Sequence, residues 1–214
     1  MPITRVGRID AELCPCVTVG ESAGLSYDRR ISALPNRSDI VAKSLLVCGW
    51  FQSWKYTLEV ESALRHHLRL LPNVSGAVRE FLERIRPSSW KGEGSYVRIG
   101  IHVRAGDVMR RDKWRHGYTI PQRPYFEHAM SRFVGQQRRR RQAQPARVQF
   151  IVTSDSLAWA KSAINFTSIA HQLNRTSPDV DVDVAHSEGH DAGFDLALLS
   201  LCDRLSFNCV PLDT

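Results

Sequence analysis

From Tyr96 onward the apolar residues of this chain fall into a regular alternation of short runs and helical faces. Val97, Ile99, Ile101 and Val103 alternate with Arg98, Gly100 and His102, which predicts a buried strand over Tyr96–Val103. "IPQRPYFEHAMSRFV" follows, a helix entered through proline with Phe126, Met130 and Phe133 on one face. The polar, basic "QQRRRRQAQPA" predicts a loop, "RVQFIVTS" the next strand, and "DSLAWAKSAI" a helix that gathers Leu157, Ala160 and Ile164. "DVDVDVA" alternates strictly, as an edge strand or a strand with one wet face does. "DAGFDLALLSLCDRL" closes the series as a helix with a wide apolar side. The order β-α-β-α-β-α predicts a parallel, Rossmann-like α/β sheet with right-handed crossovers. Such sheets take ligands at the carboxyl ends of their strands, here His102–Asp107, Thr153–Asp155 and Ala185–Glu188.

The amino-terminal part is less regular. Met1 to about Tyr27 shows no convincing period and reads as irregular. "SLLVCGWFQSWKY" is a short apolar strand turning into an aromatic cluster at Trp50, Phe51, Trp54 and Tyr56. Val60, Leu64, Leu68 and Leu71 lie at helical spacing and predict a helix that Pro72 helps to end. A second helix has Ser75 as its cap candidate and Val78, Leu82 and Ile85 on one face, and stops at Pro87. The loop "PSSWKGEGS" is the expected domain boundary.

Composition narrows the partners. The 214 residues suffice for one full α/β domain, or one domain and part of another. The net charge of +7 suits an anionic ligand, but it is diffuse and has few aromatics beside it, so a stacking platform for nucleic acid is not expected. "IVAKSLLVCGWF", the most apolar stretch, is too short to cross a membrane and carries Lys43. No apolar segment follows the opening "MPITRVGRID", so it is not a signal peptide. Four N-x-[ST] sequons, at Asn36, Asn73, Asn165 and Asn174, nevertheless lean towards a lumenal parent protein. The five cysteines include no CxxC pair, which leaves neither a zinc site nor a redox motif, and Cys48 and Cys202 sit in apolar surroundings.

The candidate chemistry gathers at the first strand end. Arg104 beside Gly106, where a backbone could approach closely, suits a bidentate grip on phosphate. Neither GxGxxG nor a P-loop is present to do this instead. His102 points to the same side, towards a nucleobase or sugar, or else it is a satisfied core histidine. Asp107 is a base or simply the ion-pair partner of Arg104. Ser154 and Asp155 read as caps of the following helix, with Asp155 also suited to a nucleobase edge. Asp195, inside an apolar helix, needs a partner unless it faces solvent near the helix start. The run Arg138–Arg141 reads as a solvated loop.

Taken in series, "CGWFQSWKY", "IGIHVRAGD", "FIVTSDSLAWAKSAI" and "FDLALLSLCDRL" resemble the galactoside α-1,2-fucosyltransferases over about Leu25 to Leu205. "HVRAGD" is similar to the His-x-Arg-Arg-x-Asp motif of α-1,2- and α-1,6-fucosyltransferases, with Ala105 at the second arginine. The resemblance implies a GT-B architecture. Residues 25–94 would then be part of the N-terminal, acceptor-side domain and residues 95–204 a partial C-terminal Rossmann-like domain that binds GDP-fucose. Residues 1–24 would be irregular and 205–214 a divergent tail, with the sheet ending after its third unit and leaving an unpaired edge. The implied reaction transfers L-fucose from GDP-β-L-fucose to O2 of a terminal β-galactose on a glycan, with inversion and without a metal or other cofactor. Arg104 would contact the diphosphate, and His102, Gly106, Ser154, Asp155 and Asp195 would complete the donor site. Asp107 and Asp112 are the acids nearest the motif and the candidates for catalytic base. The resemblance also implies the Golgi lumen, with membrane attachment through an anchor that this chain lacks. Chain ends shorter than the family pattern lead to the expectation of weak or absent activity. The alternatives are a non-catalytic GDP-sugar-binding or partner-binding fragment and an unrelated nucleotide-binding domain.

Overall fold

The computed structural model describes residues 17–20, 27–32, 45–48, 53–90, 96–109, 121–139 and 146–207. The chain divides into two units, Met1–Arg69 and Leu70–Thr214.

In the first unit, β1 (Val17–Gly20) pairs in parallel with β2 (Leu45–Cys48), Val17 opposite Leu45. The stretch expected to be irregular thus contains a strand. Four residues are too few to show a period, and the partner that orders them lies far along the chain. The short helix α1 (Arg29–Ser32) follows buried Asp28, which accepts from the Arg30 guanidinium at 2.6 Å while its backbone N–H donates to the Tyr56 hydroxyl at 2.7 Å. Two single turns, Trp54–Tyr56 and Leu58–Val60, lead into α2 (Glu61–His67). The helix expected over Val60–Leu71 is therefore shorter, and its apolar residues do not form a core face. Val60, Leu68 and Leu71 are 49, 75 and 66% exposed.

The second unit carries the parallel sheet. It opens with α3 (Pro72–Arg84), which begins at Pro72 and not at the expected Ser75 cap. Proline fits the first helical position because its missing N–H would have no helical partner there. Ser75 instead donates its hydroxyl to the Pro72 carbonyl at 3.0 Å. Four strands follow, β3 (Val97–Val103), β4 (Ala146–Ser154), β5 (Val180–His186) and β6 (Arg204–Phe207). All are parallel, in the order β5-β4-β3-β6. The connections are α4 (Arg123–Arg139), then α5 (Leu157–Trp159) with a wide turn over Ala160–Ile164 and α6 (Phe166–Thr176), then α7 (Ala192–Ser200).

Both faces of the sheet are covered, as a parallel sheet requires. On one, Ile99, Ile101, Val148, Phe150 and Val152 pack with Phe126, Met130 and Val134 of α4 and Phe166, Ile169 and Leu173 of α6. On the other, Ile151 meets Val78, Phe81 and Leu82 of α3 and Ala197 and Leu198 of α7. Each of these buried side chains larger than alanine contributes roughly 1.5–3 kcal/mol. The packing of α3 against α7 explains why the unit begins near Leu70, ahead of the boundary expected in the Pro87–Ser95 loop.

Three further expectations change. The sheet does not end with its third unit, because β6 pairs with β3, Ile99 opposite Arg204 through His102 opposite Phe207. Gly100 leaves room over this part of the sheet for the Leu199 and Leu205 side chains, whose ends a Cβ there would meet at 2.7 and 2.9 Å. The helix α4 runs on through Arg139, into the stretch read as a loop, and Arg138 pairs with Asp179 at 3.0 Å. The helix α6 was not foreseen at all. Asn165, in the left-handed region at φ 55°, turns the chain into it and accepts from the Ser168 N–H at 3.1 Å. The alternating β5 is an edge strand, and its acids are used: Trp90 Nε1 donates to Asp181 at 2.5 Å and Gln149 Nε2 to Asp183 at 2.9 Å.

Candidate functional site

Because β3 lies between β4 and β6, its carboxyl end sits in the interior of the sheet edge. The chain leaves the strand as His102-Val103-Arg104-Ala105-Gly106-Asp107. Val103 and Ala105 are fully buried and face the core, so Arg104 between them turns outward. Its Nε donates to Asp107 Oδ1 at 2.9 Å and a terminal nitrogen donates to Oδ2 at 2.6 Å. This two-bond geometry is the one a phosphate would use. Asp107 is thereby the ion-pair partner of Arg104.

Ser154 and Asp155, at the end of β4, do not cap the helix that follows them. The cap residue of α5 is Ser156, with no side-chain bond. Asp155 reaches across to the β3 loop instead, where its Oδ1 accepts from the N–H groups of Ala105 at 2.7 Å and Gly106 at 3.0 Å. The Ser154 hydroxyl donates to the Val103 carbonyl at 2.7 Å and accepts from the Ser156 N–H at 3.0 Å. The close approach that Gly106 permits is therefore to Asp155, since a Cβ at 106 would lie 3.1 Å from Asp155 Oδ2.

Beside this loop is an open cavity of about 510 Å³ lined by His102, Ser154, Asp155, His190, Ala192, Asp195, Leu196 and Leu199. Asp195 is half-buried in the first turn of α7 and accepts from the Ser187 hydroxyl at 2.5 Å. Burial raises its pKa from the usual carboxylate range, while the Ser187 bond and the nearby His190 and His102 pull it back. Asp191 caps α7, accepting from the Phe194 N–H at 2.8 Å. His190 stacks on Phe194 with ring centres 3.8 Å apart and planes 10° from parallel, and Phe81 meets both rings edge to face.

The expected site residues His102, Ser154, Asp155 and Asp195 thus converge on one cavity, with Arg104, Gly106 and Asp107 in the adjoining loop. Asp112 lies outside the described residues, as does Asn36. Among the other sequons, Asn73 and Asn165 are exposed. The Asn174 amide is committed: its Nδ2 donates to the Val182 carbonyl and its Oδ1 accepts from the Val182 N–H, both at 2.8 Å. Asn174 is thus half-buried and engaged with β5. Ser187 and His190 were missed. Ser187 lies in the strand end flagged at Ala185–Glu188, whereas nothing in the local pattern marks His190. Among the described residues, no group of three or more His, Cys, Asp or Glu could hold a metal ion, and no helix is long and apolar enough to cross a membrane.

A parallel sheet wound with helices on both faces, with an arginine loop and an acid-and-imidazole cavity at its carboxyl edge, defines a Rossmann-like α/β domain. The sequence model of glycosyl transferase family 11 matches residues 38–202, and the chain belongs to that family. No curated protein and no solved structure matches the chain.

Proposed function

We propose that the protein is a fucosyltransferase that moves L-fucose from GDP-β-L-fucose to O2 of a terminal β-galactose on a glycan. The observation that carries this reading is the outward-facing Arg104 beside the His102–Asp195 cavity at the carboxyl edge, in a chain of glycosyl transferase family 11. Guanine offers two adjacent N–H donors on one edge, and an ionised carboxylate, an acceptor only, is their natural partner. Asp195 takes that role, with the His190 ring as a wall against which a base stacks. The diphosphate exchanges with Asp107 for the Arg104 fork.

In the transfer, galactose O2 attacks the anomeric carbon of fucose as the bond from that carbon to the phosphate oxygen breaks. The electron pair leaves with GDP, where charge grows on the oxygens beside Arg104, and a fixed cation there lowers the barrier. The O2 proton passes to a carboxylate after the motif, Asp107 or Asp112. Inversion follows from attack opposite the leaving group. The reading calls for no metal or other cofactor, and it sets the protein in a Golgi lumen where such glycans are built.

The test is incubation of the purified protein with GDP-fucose and a β-galactoside, with calorimetric titration of GDP and ADP alongside. Fucosylated product and a preference for GDP are expected, and Arg104→Ala should abolish GDP binding. GDP binding without transfer would leave the protein a non-catalytic binder of GDP-sugar. No preference between GDP and ADP would sink the donor assignment itself.

A further inference from the structure

We propose that Ser154 and Asp155 are positioning residues that hold the backbone of the Arg104 loop in its binding shape. The inference rests on the reading of Arg104 as the diphosphate ligand.

Three backbone groups in the four residues Val103–Gly106 are held by this dipeptide. The Val103 carbonyl accepts from the Ser154 hydroxyl, and the Ala105 and Gly106 N–H groups both donate to one oxygen of Asp155. Successive N–H groups converging on one oxygen make an anion cradle, and here the anion is supplied by the protein. From below, the Ala105 methyl is fully buried in the core, so the loop is fixed on both sides. Gly106 fits the same account: a side chain there would come within 3.1 Å of Asp155 Oδ2, so the glycine serves the clamp. Arg104 is left as the exposed side chain between two anchored neighbours. A flexible guanidinium loses less freedom on gripping phosphate when its backbone is already set.

The clamp also separates charges. The Asp155 carboxylate lines the donor cavity and would repel a diphosphate, but two N–H donors are directed at its Oδ1. The acceptor oxygen is what the loop needs, and the negative charge is not.

The experiment compares the affinity of the full chain for GDP and for guanosine in the wild type, Asp155→Ala and Asp155→Asn. Asp155→Ala is expected to weaken GDP by about tenfold or more, since it removes the acceptor of two backbone N–H groups and loosens the loop, while guanosine stays within about twofold because base contacts do not use the loop. Asp155→Asn, whose one oxygen can accept from both N–H groups, should restore most of the GDP affinity. Unchanged GDP affinity in Asp155→Ala would overturn the proposal. So would an equal loss for guanosine, or a failure of Asp155→Asn to recover. A wild type that binds guanosine as tightly as GDP would sink the diphosphate role of Arg104, and this inference with it.

Discussion

Asp195→Asn tests the base-recognition half of the site most directly. The carboxylate is half-buried, bonded to Ser187, and faces a cavity that also contains His102 and His190. An ionised carboxylate can accept from both N–H groups of a guanine edge, whereas asparagine sets an NH2 against one of them. Losing one charged hydrogen bond and leaving a donor unpaired costs roughly 1.5–3 kcal/mol, or about 10- to 150-fold in the Kd for GDP. Adenine offers an acceptor beside a donor, which the amide matches, so the preference for GDP over ADP should narrow as well. Stability must not fall with it. Burial raises the folded-state pKa of Asp195, so the folded protein holds this proton more tightly than the unfolded chain, where Asp titrates near about 3.9. The stabilising contribution is fully present below that value and is lost as pH rises through the folded-state pKa. Asparagine carries no charge to desolvate and can still accept from Ser187, so its melting temperature at neutral pH should equal or slightly exceed that of the wild type. The assay is calorimetry with GDP and ADP at fixed ionic strength, paired with thermal melting. Wild-type affinity and selectivity in Asp195→Asn would refute the assignment.

Other consequences follow from burial. Ala105→Arg, which restores the arginine of the related motif, should destabilise, because position 105 is 0% exposed and joins the core. Overpacking and an unpaired buried charge together cost about 3 kcal/mol or more, seen as a fall in melting temperature of roughly 2–4 °C per kcal/mol. A variant as stable as the wild type would show that the loop repacks freely. The Cys202 thiol, pushed up to about 12 by burial, donates to the Leu198 carbonyl at 3.4 Å. At pH 8 its thiolate is roughly one part in ten thousand, so alkylation followed by mass spectrometry should label it only after unfolding. Rapid labelling of the native protein would contradict the packing. Asn174→Ala, which removes both bonds to Val182, should cost about 1–3 kcal/mol in chemical denaturation. A stability change near zero would mean the edge of β5 is held without it.

The alternation of Val97 to Val103 and the helical face of α4 were legible as local periods, and β4 and α7 as apolar runs bounded by polar stretches. Their order implied a parallel sheet, and the sheet implied where a ligand binds. In this way sequence alone brought His102, Arg104 and Asp155 to one edge before any coordinates, whereas Asp195, inside a helix, was not placed there by the strand order. Elements without a local signal were not legible. Strands β1 and β6 are four residues each and exist through distant partners. The helix α6 begins at a left-handed asparagine that ordinary capping patterns do not announce.

The roles within the site divide the same way. Residue chemistry and position in the strand order nominated Arg104 as an anion-binding arginine or as the partner of Asp107, and could not decide between the two. Only the tertiary structure showed that Asp155 serves the Arg104 loop and not its own helix, that Gly106 is small for Asp155, and that Ala105 fills the core where an arginine would not fit. Those facts depend on the spacing between two neighbouring strand ends. Hydrogen bonds act over about 3 Å, and no pattern along one chain encodes a distance between residues some fifty positions apart.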